Sequence, residues 1–112
     1  MSKFLLLKES AKREILSYMP SKAVTQKLAD YFSNFSDYTR IKIISCLSMC
    51  DMCVSDLSLI LDINQTTLSH QLKLLKDKGI VSARREGKII LYKLENKSVN
   101  NLMLNAVNAI SN

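Results

Sequence analysis

The feature that most constrains the fold is a change of period within residues 54–94, VSDLSLILDINQTTLSHQLKLLKDKGIVSARREGKIILYKL. Apolar residues first recur at helical spacing in two short blocks, about 54–61 and 65–78, separated by Asp62-Ile63-Asn64. Those three residues have the chemistry to stop one helix and cap the next. Gly79 follows as a helix-closing residue, because glycine accepts the left-handed conformation of a C′ position at little cost. Beyond it, β-branched residues alternate or run on both sides of Glu86-Gly87. Two strands, about 80–85 and 88–94, are therefore expected to form a hairpin with an exposed basic tip. Two short helices across a three-residue turn, followed at once by a hairpin, is the plan of a winged helix-turn-helix.

The flanking segments are helical. Leu5, Leu6, Ala11, Ile15 and Met19 repeat over 3–19 until Pro20, which cannot continue the hydrogen-bond ladder. Val24, Leu28, Ala29 and Phe32 make a stripe over 22–33. Ser36 or Asp37 offers a cap for 38–49, where Ile41, Ile44, Leu47 and Ser48 share a face. Leu102, Met103, Ala106 and Ile110 mark the expected buried side of a last helix over 99–110. With 2 Gly, 1 Pro and no Trp among 112 residues, one domain is expected, mainly α with a β-hairpin wing. The run Phe4-Leu5-Leu6-Leu7 is too short for a signal peptide or a membrane span, so a cytoplasmic chain without a membrane partner is expected.

Charge is unevenly spread. Residues 1–30 carry six Lys/Arg against three acids, 31–64 two against four, and 65–95 seven against three, before one further lysine in the tail. A basic segment beside an acidic one suits a face that meets a polyanion, although a solvated surface reads the same way. The start of the second motif helix holds Gln65, Thr66, Thr67, Ser69, His70 and Gln71, whose hydroxyls and amides can read base edges and phosphates. Lys73, Lys76 and Lys78 continue that face toward phosphates, and Arg84, Arg85 and Lys88 of the hairpin reach an adjacent groove or backbone. Taken singly, Gln65 and Thr66 are equally capping or solvated residues.

Three cysteines do not make a disulfide framework. Cys50 and Cys53 form a CxxC pair that can hold a soft ion such as As(III), Cd(II), Pb(II) or Zn(II) if the thiolates converge across a turn. Cys46 either supplies a third sulfur or faces the core. A redox signal at Cys50 and Cys53, or inert structural thiols, are the alternatives. A CxxC thiol oxidoreductase would need a strand leading into the pair, and a helix precedes it here. A winged helix serving only protein contacts would have a neutral reading helix and wing.

Residues 28–94 resemble the ArsR/SmtB family of bacterial winged-helix repressors. The resemblance rests on Ser-Asp-x-Thr-Arg at 36–40, Asp56-Leu57, Ser69-His70-Gln71-Leu72, Leu74-Leu75, Gly79 and Arg85-Glu86-Gly87. Tyr38 stands where the family usually has proline. The resemblance implies a homodimer through the first and last helices (1–33 and 98–111), with 38–94 as helix-turn-helix and wing. It also implies an operator of two half-sites and release by an inducer. The family's zinc site on the last helix falls here on Asn96, Ser98, Ala109 and Asn112, so that site is expected to be absent. The family's Cys-Val-Cys-Asp-Leu motif reads Cys53-Val54-Ser55-Asp56-Leu57, with serine in the second cysteine's place.

Overall fold

The computed structural model describes residues 6–96 and 98–111. The expected positions Phe4, Leu5 and Asn112 lie outside them. The chain divides into two compact units, residues 1–32 and 33–112. The first holds α1 (Glu9–Tyr18) and most of α2 (Lys22–Ser33), neither of which has a buried residue. Helix α1 begins at Glu9, later than the apolar repeat suggested, because Lys8 in extended conformation precedes it. The stripe Val24, Leu28 and Phe32 on α2 is exposed.

The second unit is the winged helix-turn-helix. In order it comprises α3 (Tyr38–Met49), α4 (Val54–Leu61), α5 (Gln65–Asp77), β1 (Val81–Glu86), β2 (Ile89–Leu94) and α6 (Ser98–Ser111). Asp37 caps α3, its carboxylate accepting from the Arg40 amide at 3.0 Å. Tyr38 follows at the first helical position, and the Lys42 ammonium sits 4.6 Å from the centre of its ring.

Helix α3 buries Ile43, Ile44, Cys46 and Leu47, and α5 buries Leu68, Leu72 and Leu75, the stripe expected from its period. Leu57 of α4 and Val81 and Leu94 at the base of the hairpin close the core between them. Ile41 and Ser48, expected on the buried face of α3, are only half-buried. The expected buried side of α6 is not buried within this chain. Val99 alone is buried on α6; of the expected residues Met103 is half-buried and Leu102, Ala106 and Ile110 are exposed, as are Leu104 and Val107.

The strands pair antiparallel from Val81↔Leu94 to Glu86↔Ile89. The two-residue turn is therefore Gly87-Lys88, one residue later than the expected tip at Glu86-Gly87. Gly87 has φ +62, and a positive φ at the first central position of a two-residue loop is what glycine supplies. The linker between α3 and α4 adds an isolated antiparallel bridge to β2: Met52 N–H donates to Tyr92 O at 3.1 Å and Tyr92 N–H to Met52 O at 2.9 Å.

Candidate nucleic-acid interface

The turn between α4 and α5 is held at each residue. Asp62 takes a left-handed conformation (φ 55, ψ 47), which short polar side chains tolerate better than most. The Ser58 hydroxyl donates to Ile63 O at 2.6 Å, and Asn64 caps α5 by accepting from the Thr67 amide at 2.8 Å. These contacts set the angle at which α5 leaves the core. Its apolar stripe faces inward, so Gln65, Thr66, Thr67, Ser69, His70 and Lys73 project outward and are exposed.

Two of the expected reading residues have partners inside the protein. Gln71 is half-buried and its Oε1 accepts from Arg40 Nε of α3 at 2.9 Å. Gln65 Nε2 donates to Ser55 Oγ at 3.4 Å, tying the starts of α4 and α5. On the wing, Arg85 and Lys88 are exposed, whereas Arg84 is doubly ion-paired: Nη1 lies 2.6 Å from Asp51 Oδ2 and Nε 3.0 Å from Glu86 Oε1. Hydrogen bonds to Asp51 first and Glu86 second make the Arg84 guanidinium hold its proton more tightly. The Arg40–Gln71 and Arg84–Asp51 pairings link residues more than thirty positions apart, and no local pattern announces them.

The three cysteines do not form a three-ligand group among the described residues. Cys46 is buried in α3, and burial, with Cys50 nearby, pushes its thiol up from 9.0. Cys50 is exposed in extended conformation at the C-terminus of α3, and Cys53 is half-buried at the start of α4. Met52, paired to Tyr92, stands between them, so the segment is strand-like where a turn was needed for the thiols to converge. In extended backbone, residues three apart point to opposite faces. Cys50 accordingly borders a cavity of about 420 Å³ with Asp51, Lys93 and Asn100, while Cys53 borders a different one of about 340 Å³ with Ser69, Lys88 and Tyr92. Among the described residues, no three His, Cys, Asp or Glu side chains are placed to hold a metal ion. Two of the positions aligned with the zinc site of the last helix serve its start instead. Asn96 Oδ1 accepts from the Ser98 amide at 2.9 Å and from the Ser98 hydroxyl at 2.7 Å.

No helix among the described residues is long and apolar enough to cross a membrane. A model of the bacterial regulatory protein arsR family matches residues 37–83. The chain is 31% identical over 90 residues to a transcriptional repressor SmtB homolog of Synechocystis, covering 80% of this chain and 68% of that protein. It is 40% identical over 77 residues to a cadmium resistance transcriptional regulatory protein CadC homolog of Staphylococcus aureus, covering 68% and 64%. Among solved structures it is similar to the homodimeric winged helix-turn-helix DNA-binding domain of a possible ArsR-family transcriptional regulator from Mycobacterium bovis. That match has a TM-score of 0.69 and 28% identity, and covers 82% of this chain and 89% of that one. The chain thus spans about two thirds of the length of these curated relatives. Motif, fold and relatives agree: this chain belongs to the arsR family of bacterial regulatory proteins, and is a DNA-binding winged helix-turn-helix transcription regulator, not an enzyme.

Proposed function

We propose that the chain is a cytoplasmic repressor that binds a two-half-site operator as a homodimer and is released by an inducer acting on the thiols of residues 50–53. The observation that carries the operator half is α5, where Leu68, Leu72 and Leu75 are fully buried and so turn Thr66, Thr67, Ser69 and His70 outward at its N-terminal end. That end of a recognition helix contacts base edges in the major groove. Lys73, Lys76, Arg85 and Lys88, all exposed, stand beside it to neutralise phosphates. The dimer is supported by the exposed apolar residues of α1 and α6, including Leu16 and Ile110, and by the homodimeric relative. Paired half-sites about one helical turn apart follow from such a dimer.

A mobility-shift assay with the DNA upstream of the chain's own gene tests this. A complex is expected at low salt, falling steeply as salt rises and several-fold weaker for His70→Ala or Arg85→Ala. Absence of any complex at low salt overturns the proposal.

The S. aureus relative carries cadmium resistance in its name, but the residues here do not fit a preformed soft-metal site. Ser55 replaces the motif's second cysteine, and Cys50 and Cys53 border separate cavities. Cys50, the exposed thiol, is therefore the preferred point of action. The shift assay repeated with As(III), Cd(II), Pb(II), Zn(II) and a thiol oxidant identifies the trigger. Release of wild type but not Cys50→Ser supports Cys50. Release that persists in a variant lacking all three cysteines removes thiols from the mechanism.

A further inference from the structure

We propose that Asp51 is a positioning residue of the DNA interface, which through Arg84 holds the wing at its reading angle. On this view Arg84 orients the hairpin and neutralises no phosphate. The inference rests on the operator-binding proposal above and deepens it.

A two-stranded hairpin is marginally stable alone and needs a third element to fix its direction. The 50–53 segment supplies one, and it grips both strands. Its backbone pairs with β2 through the two Met52–Tyr92 hydrogen bonds. Its side chain pairs with β1 through Asp51 and Arg84, at 2.6 Å. Arg84 lies opposite Leu91 and next to Ala83, the partner of Tyr92, so the two grips act at adjacent rungs of the same ladder. Without Asp51 the segment holds β2 only, and the outer half of β1 is held to it only through the ladder with β2.

The charge balance around Arg84 points the same way. One guanidinium faces two carboxylates, Asp51 and Glu86, which occupy Nη1 and Nε. A phosphate approaching that cluster meets one net negative charge. Among the described residues, Arg85 and Lys88 at the wing tip carry no ion pair, and they remain available to the DNA backbone. Exposed ion pairs contribute little to folding, so the importance of this one lies in direction and not in stability.

The rival view, in which Arg84 touches phosphate and Asp51 competes for it, predicts the opposite sign for one variant. Asp51→Asn removes a negative charge from a DNA-binding face, so direct competition predicts tighter binding. Positioning predicts weaker binding, by about two- to fivefold, the scale of an exposed ion pair. The experiment is operator titration by fluorescence anisotropy over a range of salt, with wild type, Asp51→Asn, Asp51→Glu, Arg84→Gln and the Asp51→Asn/Arg84→Gln double variant. The expected result has both single variants weakened alike, the double variant no weaker than either, and Asp51→Glu close to wild type. The dependence of affinity on salt stays unchanged throughout, which a phosphate ligand could not satisfy. Wild-type binding with Asp51→Asn as tight or tighter overturns the inference. So does a fall of about 0.9 in the salt slope for Arg84→Gln, the signature of one lost phosphate contact. Failure of wild type itself to bind overturns the operator proposal instead, so the two failures are distinguishable.

Discussion

Arg40 and Gln71 meet across 31 residues of chain, and the contact decides which atoms of Gln71 are left for DNA. Its amide oxygen already accepts from Arg40, which fixes the orientation of the group and leaves its NH2 free to donate to a base acceptor. Spacing alone made Gln71 equivalent to Gln65 or His70, since what distinguishes it lies on another helix. Cys46 shows the same limit: its place on the helix left both the core and the sulfur cluster open, and packing chose the core. Because burial raises its pKa, the folded protein keeps a proton that the unfolded chain gives up once pH passes about 9.0. Its contribution to stability is complete below that pH and is lost as pH rises through the higher folded value. Thermal melts from pH 7 to 10.5 are expected to show that decline, and Cys46→Ala to flatten it. Alkylation of the native protein is expected to proceed at Cys50 first and Cys46 last, as peptide mapping would show.

At the scale of elements, the capped starts of α3 and α5 were the most legible part of the chain. Asp37 and Asn64 cap α3 and α5 as their residue types suggest, because a cap is made within three residues and needs no tertiary partner. Asn64→Ala is expected to cost about 1 kcal/mol in urea denaturation, the usual worth of such a cap. Asn64→Asp, which keeps an acceptor and adds charge favourable to the helix dipole, should cost little. The hairpin turn came out one residue away from expectation because Gly87 sits inside either candidate turn. Only the pairing of Glu86 with Ile89 tells the two apart. The CxxC pair was the least legible element. Three-residue spacing is compatible with a turn or with extended chain, and the bridge from Met52 to Tyr92, forty residues on, holds it extended.

For the whole molecule, the apolar stripe of α6 was readable as a face in need of a partner, and its burial in a homodimer was legible only from the family resemblance, because periodicity alone does not say whether a chain's own core or a second copy covers a stripe. Within the chain Leu104 remains 60% exposed and Val107 49% exposed. Leu104→Glu with Val107→Glu is expected to convert a dimer to a monomer by size-exclusion light scattering. The variant should retain the helical circular dichroism of wild type, since neither residue contributes to the core of its own chain. Operator affinity should fall far more than the loss of one half-site's contacts, because the second half-site is then bound without the advantage of tethering.

The two hydrogen bonds between Met52 and Tyr92 make those backbone amides a built-in gauge of the regulator's state. Both are sheltered from solvent exchange only while the linker and the hairpin stay joined. Deuterium uptake at these two positions, followed before and after an inducer is added, therefore tells whether the inducer separates the linker from the hairpin, with no DNA in the tube.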